Sequence, residues 1–165
     1  GLEGLLRYEP DELFFGWLAM TLMESQSRTP RTGWRESTFD QLLNLTLVGS
    51  FDLGAGWSVG FRFRVAEGYP TTPAAGAIYN TDCDEYERIP GADNSLRLPW
   101  VHQLDVRVDK KFEWEHFVLD IYLDVQNVYY AENVEAIGYN YDYTRRRDVL
   151  GLPILPALGI KGEFR

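Results

Sequence analysis

Long stretches of this chain alternate apolar with polar or charged residues. In the clearest of them, Phe117 to Val125, the odd-numbered positions are apolar, and Asp120, Tyr122 and Asp124 lie between them. An alternation with a period of two predicts a β-strand with one apolar and one polar face. Five such runs recur along the 165 residues, and each is long enough to cross a bilayer as a tilted strand. The pattern therefore predicts an all-β chain.

Together with the turn residues, the alternation predicts seven long strands. They span roughly residues 2–8, 14–24, 41–51, 57–66, 101–112, 117–125 and 157–164. The connections between them are alternately short, near residues 9–12, 52–56 and 113–115, and long, near residues 25–38, 67–100 and 132–156. Outer-membrane barrels have short periplasmic turns and long extracellular loops. The alternation thus predicts antiparallel strands with all long loops at one end.

The fold class that we expect is an antiparallel transmembrane β-barrel of about seven to eight strands, with residues 1–165 as one domain. Bacterial barrels usually have an even number of strands. A count of seven strands therefore leaves two alternatives. Either a further strand lies near Gly138–Tyr143 and completes a closed small barrel, or the chain is the C-terminal segment of a larger barrel. A third alternative is a soluble β-sandwich whose apolar faces pack together as a core.

Two details of the strand faces bear on this prediction. The second strand is the least regular, so either Leu18, Met20 and Leu22 or Trp17 and Ala19 point outward. Aromatic residues make up 15% of the chain, and some of them gather at the predicted short turns. Aromatic side chains are enriched at both membrane–water interfaces. We expect those at the turns, Trp57, Phe112 and Trp114, to belong to a periplasmic girdle.

Composition and charge exclude several other classes. No run of 18 apolar residues is present, so a transmembrane helix is not predicted. The net charge of −9, with one basic cluster at Arg145–Arg147, argues against a nucleic-acid partner. The single cysteine, Cys83, excludes an intrachain disulfide and a thiolate zinc site. Because no nucleophile motif appears either, we expect no enzyme activity, no cofactor and no metal.

Four segments carry a resemblance to a known family. They are GYPTTP at Gly68–Pro73, LPWVHQLDVRVDKKF at Leu98–Phe112, LDIYLDVQNVYYAEN at Leu119–Asn133 and GLPILPALGIKGEFR at Gly151–Arg165. In this order they resemble the C-terminal barrel region of a TonB-dependent outer-membrane receptor. Two positions depart from the family. Tyr130 stands where Asn is common, and Arg165 follows the aromatic residue with which such barrels usually end.

The resemblance implies a parent barrel of about 22 strands with a plugged lumen, of which this chain supplies the last third without the plug domain. It implies uptake of a scarce nutrient, such as a metal chelate or an oligosaccharide, across the outer membrane of a Gram-negative cell. The implied partners are the lipid bilayer with lipopolysaccharide, the insertion machinery acting on the C-terminal strand, and either the rest of the barrel or further copies of the chain. The alternative function is a small self-contained membrane barrel, natural or engineered, with a filled interior and no transport role.

Charged residues are predicted to share the polar, lumen-facing side of the strands. In barrels such residues tune selectivity, and the alternative is a structural ladder of cross-strand ion pairs. The predicted lumen-facing residues are Arg62, Arg64, Asp105, Arg107, Asp109, Asp120, Asp124, Lys161 and Glu163.

The last long loop supplies a candidate ligand site. It combines tyrosines with a basic cluster, an arrangement that suits a carbohydrate or an anionic chelate. Alternating tyrosines also stabilise a hairpin, so a structural role stays open. The candidate residues are Tyr139, Tyr141, Tyr143, Arg145, Arg146 and Arg147.

The longest loop carries an acidic cluster on both sides of Cys83. Its members are Asp82, Asp84, Glu85 and Glu87. Carboxylates so close together can hold calcium, but their spacing does not match an EF-hand loop. We interpret the cluster as a solvated loop tip.

Overall fold

The computed structural model describes residues 1–9, 13–30 and 33–164. Part of the turn predicted at residues 9–12, and the terminal Arg165, lie outside these ranges. The regular structure of the described residues consists of β-strands, which confirms the prediction of an all-β chain. None of these residues belongs to a helix able to span a membrane.

Fifteen strands occur in the described ranges. In chain order they are β1 (Leu2–Tyr8), β2 (Phe14–Leu22), β3 (Gln26–Thr29), β4 (Gly33–Glu36), β5 (Leu43–Gly54), β6 (Trp57–Ala66), β7 (Pro70–Thr71), β8 (Ala74–Asn80), β9 (Glu85–Pro90), β10 (Leu96–Arg97), β11 (Val101–Glu113), β12 (Phe117–Gln126), β13 (Val134–Tyr139), β14 (Arg146–Leu150) and β15 (Leu155–Phe164).

Seven of these strands form one antiparallel sheet in the order β1-β2-β5-β6-β11-β12-β15. They correspond to the seven long strands predicted from the alternation, and that prediction is confirmed. The other eight strands pair as four two-stranded sheets, β3 with β4, β7 with β10, β8 with β9, and β13 with β14. All four lie within the long connections. The sheet therefore has a loop end, and a turn end where β5 joins β6 and β11 joins β12.

The cross-strand register gives the sheet one apolar and one polar face. Leu47 of β5 lies opposite Phe63 of β6, and Phe63 lies opposite Leu104 of β11. Because residues that face each other across a ladder share a side of the sheet, these three side chains belong to the apolar face. The register also settles β2: Leu18 lies opposite Leu47, so Leu18, Met20 and Leu22 are on the apolar face, and Trp17 is on the polar one.

No described part of the chain packs against the apolar face. Among the described apolar residues, Ala66, Val118 and Val134 are buried, and all three lie away from this face or outside the sheet. On the apolar face of β15, Leu158 is 74% exposed and Ile160 is 68% exposed. No second sheet of the described chain covers them, so the β-sandwich alternative is wrong. Large exposed apolar patches mark sites of interaction with a protein or a membrane.

Aromatic rings form a nearly continuous row at the turn end of the apolar face. Successive ring centroids are 4.7–6.1 Å apart wherever two rings are in contact, and Lys110 bridges two rings through cation–π contacts. In order across the sheet, the row consists of Tyr8, Phe14, Phe51, Trp57, Phe112, Trp114, Phe117 and Phe164. We call this row the aromatic belt. It contains the three residues predicted to cluster at the turns.

The sheet is open in the part of the chain that the structure describes. No ladder joins β1 to β15, so the closed small barrel is not found. Six antiparallel steps separate these edge strands, and β1 and β15 therefore run in the same direction. The segment near Gly138–Tyr143, where a missed barrel strand was a possibility, instead forms the tip of the β13/β14 hairpin, which is a separate sheet.

Candidate functional site

The structure places all nine charged candidates on the polar face of the sheet. Arg62 lies opposite Asp105, Arg107 lies opposite Asp124, and Asp120 lies opposite Lys161. The remaining three, Arg64, Asp109 and Glu163, occupy positions of the same parity on β6, β11 and β15. The period-two alternation along the strands is therefore sufficient to predict that these nine residues share one side of the sheet.

Asp105 is the most constrained of these charges. Its carboxylate accepts hydrogen bonds from Arg62 Nη2 at 2.6 Å, Gln103 Nε2 at 2.6 Å and the backbone N–H of Asn127 at 3.0 Å. The Asp105 side chain is 10% exposed. A buried carboxylate with three donors is stabilised in place. Asp105 is thus bound to its neighbours and holds the start of the last long loop against the sheet.

The second ion pair of this face lies within one strand. Arg107 forms a bidentate contact with Asp109, with Nη2 to Oδ1 at 2.6 Å, and its guanidinium lies 3.8 Å from the centroid of the Tyr122 ring. Asp120 Oδ1 is buried and has no hydrogen-bond partner among the described residues.

A complete ladder of cross-strand ion pairs is not formed. Within the described ranges, one ion pair among these nine residues joins two strands, that of Arg62 with Asp105. Register and competing contacts explain this result for three of the residues, whereas Asp120 and Lys161 lie opposite each other without forming an ion pair. Arg64 lies opposite Gln103 and Glu163 lies opposite Val118, so neither faces an opposite charge. Arg107 does face Asp124, but its guanidinium is already paired with Asp109. The face therefore keeps several charges available to the space in front of it.

The second candidate site is a cleft at the loop end, between the β8/β9 and β13/β14 hairpins. Its volume is about 560 Å³. Three groups of residues line it: the segment around Thr71 and Thr72, Tyr86 of β9, and the tip of the β13/β14 hairpin with Tyr139, Tyr141 and Tyr143. We call this feature the tyrosine cleft.

Three contacts hold the two hairpins together around the tyrosine cleft. The backbone N–H of Ala74 donates to Tyr139 Oη at 2.9 Å, and Tyr141 Oη donates to the carbonyl of Asp84 at 2.7 Å. Tyr86 packs edge-on against Tyr141, with ring centroids 5.3 Å apart. Contacts at the base and the tip of the hairpins fix the width of the cleft.

The structure separates the predicted tyrosines from the predicted arginines. Tyr139, Tyr141 and Tyr143 face the tyrosine cleft, whereas Arg145, Arg146 and Arg147 line a neighbouring pocket of about 270 Å³ that includes Tyr139. The hairpin turn causes this split, because Asn140 accepts from the backbone N–H of Arg145 at 2.8 Å and so reverses the chain between the two groups.

The acidic cluster lies at the tip of the β8/β9 hairpin. Asp82, Asp84, Glu85 and Cys83 are exposed there, and Tyr79 donates to Asp84. Within the described ranges, no group of three or more acidic, His or Cys side chains is arranged to hold a metal ion.

An ionic cluster around Arg97 was not predicted from the sequence. The guanidinium of Arg97 contacts Asp40 at 2.6 Å, Glu36 at 2.7 Å and Glu67 at 3.0 Å. Asp40, which is 5% exposed, also accepts from the backbone N–H of Ser25 at 2.5 Å. We call this group the Arg97 cluster. It joins the first and second long loops directly above the sheet.

The electrostatics of the Arg97 cluster favour the charged forms. Burial raises the pKa of Asp40, but the hydrogen bond from Ser25 and the adjacent guanidinium outweigh burial, so the pKa lies below its ordinary value. Burial opposes the charge of Arg97 as well, yet its acidic partners raise its pKa. No sequence signal connects these residues, because the members are far apart in the chain and lie in polar loops.

No known family model, curated protein or solved structure matches the chain.

Proposed function

We propose that the chain is a segment of an outer-membrane β-barrel, similar to the C-terminal part of a TonB-dependent receptor. The observation that carries this proposal is the aromatic belt along one margin of an uncovered apolar face. Barrels in the outer membrane have an outward apolar band flanked by aromatic girdles. With the apolar face toward the lipid and the short turns toward the periplasm, the aromatic belt lies at the periplasmic interface.

The lengths of the strands support the same proposal. A tilted strand needs about 9–11 residues to cross a bilayer. Five strands, β5, β6, β11, β12 and β15, have 10–13 residues. The polar face, with Arg64, Asp124 and Lys161 among its charges, then faces a lumen, and the tyrosine cleft and the Arg97 cluster lie on the extracellular side.

The directions of the edge strands favour a larger barrel over a self-contained one. Unpaired backbone groups in a bilayer cost several kcal/mol each, so both edges must be paired. Direct pairing of β1 with β15 would be parallel, whereas bacterial barrels are antiparallel. An antiparallel closure requires an odd number of additional strands. Nutrient uptake is accordingly a proposed function of the whole barrel, in which the long loops of this chain capture the ligand.

The proposal is tested by moving one charge between the two faces. Ile121→Arg places a cation in the middle of the apolar face, and Thr46→Arg places the same cation on the polar face. An arginine on the lipid face near the midplane costs about 2–4 kcal/mol. We therefore expect Ile121→Arg to reduce the folded, liposome-bound fraction in a flotation gradient, and Thr46→Arg to leave it near that of the unchanged chain.

Two results would contradict the proposal. Equal flotation of the two variants would mean that the apolar face does not meet lipid. A chain that remains folded and monodisperse without detergent would remove the need for a membrane.

A further inference from the structure

We propose that the tyrosine cleft binds an uncharged saccharide. This inference rests on the proposed function, since it assigns a ligand class to the side of the sheet that we place outside the cell. Three properties of the cleft support it: fixed aromatic faces, polar groups among them, and a lining without net positive charge.

The tyrosine rings are held in place before any ligand arrives. Tyr86 lies between Tyr79, at a centroid distance of 5.1 Å, and Tyr141, at 5.3 Å. Tyr139 packs against Tyr143 at 5.7 Å. The hydroxyls of Tyr139 and Tyr141 are engaged with the opposite hairpin. Tyrosine has few rotatable bonds, so fixed rings present contact area at a low cost in conformational entropy.

The chemistry of the wall suits a ligand with both C–H faces and hydroxyl groups. The face of an aromatic ring is negative, and it attracts the weakly positive C–H groups on one side of a sugar ring. Thr71 and Thr72 add hydroxyls to the wall, and a hydroxyl both donates and accepts. The volume of about 560 Å³ falls in the range of small-molecule sites, roughly 300–1,000 Å³.

The charges around the cleft argue against an anionic chelate. Arg88, the arginine of its wall, donates to the carbonyl of Thr72. Glu85 lines the same wall, and the acidic tip of the β8/β9 hairpin lies beside it. The basic cluster at Arg145–Arg147 lines the neighbouring pocket instead. The wall thus carries one positive and one negative charge, so it offers an anion no net attraction, whereas an uncharged sugar needs none.

The test is binding of defined trisaccharides to the full chain refolded in lauryldimethylamine oxide micelles, a detergent without a sugar head group. Maltotriose, cellotriose and N-acetylchitotriose are the uncharged probes, and ferric citrate is the anionic probe. Saturation-transfer NMR and calorimetry follow binding. We expect at least one trisaccharide to bind and ferric citrate not to bind in the cleft.

Two sets of variants locate the binding. Tyr141→Ala removes one aromatic face and should weaken binding about tenfold, the equivalent of about 1.4 kcal/mol. Tyr141→Phe keeps the ring but loses the hydrogen bond to the Asp84 carbonyl, so it should lose less affinity than Tyr141→Ala, and the difference between the two variants measures the contribution of the aromatic face. The triple variant Arg145→Gln, Arg146→Gln, Arg147→Gln should leave saccharide affinity unchanged.

Three outcomes would overturn the inference: no trisaccharide binds, binding survives Tyr141→Ala, or ferric citrate binds to the unchanged chain and is lost in the triple Gln variant. The last outcome would assign the loop to an anionic chelate. Failure of the proposed membrane function is scored separately, because flotation of Ile121→Arg and Thr46→Arg does not involve the cleft.

Discussion

At the scale of single residues, Tyr130 combines an unfavourable backbone with little packing. Its φ is +56°, in the left-handed region that costs roughly 1–2 kcal/mol for most residues and suits Gly or Asn. Its side chain is 52% exposed. Tyr130 also stands where the receptor family that we propose for the chain commonly has Asn. The left-handed backbone conformation at this position explains why Asn would be favoured there.

We therefore expect Tyr130→Asn to stabilise the chain by about 1 kcal/mol. Thermal or urea unfolding in micelles measures the change. Tyr130→Ala is the matched control, since it removes the same ring but keeps a residue that disfavours positive φ. Equal midpoints for the Asn and Ala variants would mean that backbone strain is not the cause.

Asp40 gives a residue-scale prediction for pH. Because its pKa is lowered in the folded chain, the stability that it contributes is present above the ordinary carboxylate value of about 3.9 and is lost as the pH falls through the lower folded value. We expect Asp40→Asn to cost about 1–3 kcal/mol at neutral pH and to flatten the acid limb of the stability curve. Unfolding midpoints between about pH 7 and pH 2 test this.

The control for Asp40 is Glu115→Gln. Glu115 is exposed in the short turn between β11 and β12, and it makes no ion pair with another described residue. We expect this variant to retain the acid limb of the unchanged chain. A flattened limb in both variants would assign the acid sensitivity to net charge and not to the Arg97 cluster.

At the scale of elements, the hydrogen bond from the Ala74 N–H to Tyr139 is one of the three contacts that join the β8/β9 and β13/β14 hairpins. Tyr139→Phe leaves the ring in place but removes the acceptor for the Ala74 N–H. We expect faster hydrogen exchange at Ala74 and easier proteolysis of the β8/β9 hairpin, with a local cost of about 1 kcal/mol. Protection of the seven-stranded sheet should not change.

The control in that experiment is Tyr143→Phe. Its hydroxyl forms no hydrogen bond with the described residues, so exchange at Ala74 should stay as in the unchanged chain. If Tyr139→Phe and Tyr143→Phe behave alike, the hydroxyl of Tyr139 does not hold the hairpins together.

The elements differ in how far the sequence predicts them. The seven long strands were predictable because alternation fixes both the strand and its faces, as in β6, where Arg62 and Arg64 alternate with Phe61 and Phe63. Strand β3, with the sequence QSRT, has no such alternation, since both of its sides are solvated. The hairpins of the first two long loops were therefore missed, whereas a hairpin in the last long loop was one of the two alternatives that its alternating tyrosines left open. The Arg97 cluster was missed for a related reason: its members are brought together by the loop fold and not by a local period.

At the scale of the whole molecule, the sheet presents two unpaired edges and one uncovered apolar face. On this face, Leu2 and Leu6 of β1 and Leu158 and Ile160 of β15 are all more than 60% exposed. The apolar face can be satisfied by lipid, but the edges need backbone partners. Copies of the same chain inserted in the same orientation would offer only strands of the same direction at these edges. The polarity of the edges thus favours a different partner segment over self-association.

We therefore predict that the chain alone does not close on itself in micelles. In a Cys83→Ser background, Leu6→Cys on β1 is combined in turn with Cys at Leu158, Ile160 and Phe164 on β15. We expect no intramolecular disulfide from any combination, because an antiparallel closure is impossible with seven strands. Leu123→Cys with Leu158→Cys, opposite each other in β12 and β15, is the positive control and should cross-link. Efficient cross-linking of an edge combination in a monomer would show that a parallel junction closes the sheet, and it would restore the self-contained small barrel as the function to pursue.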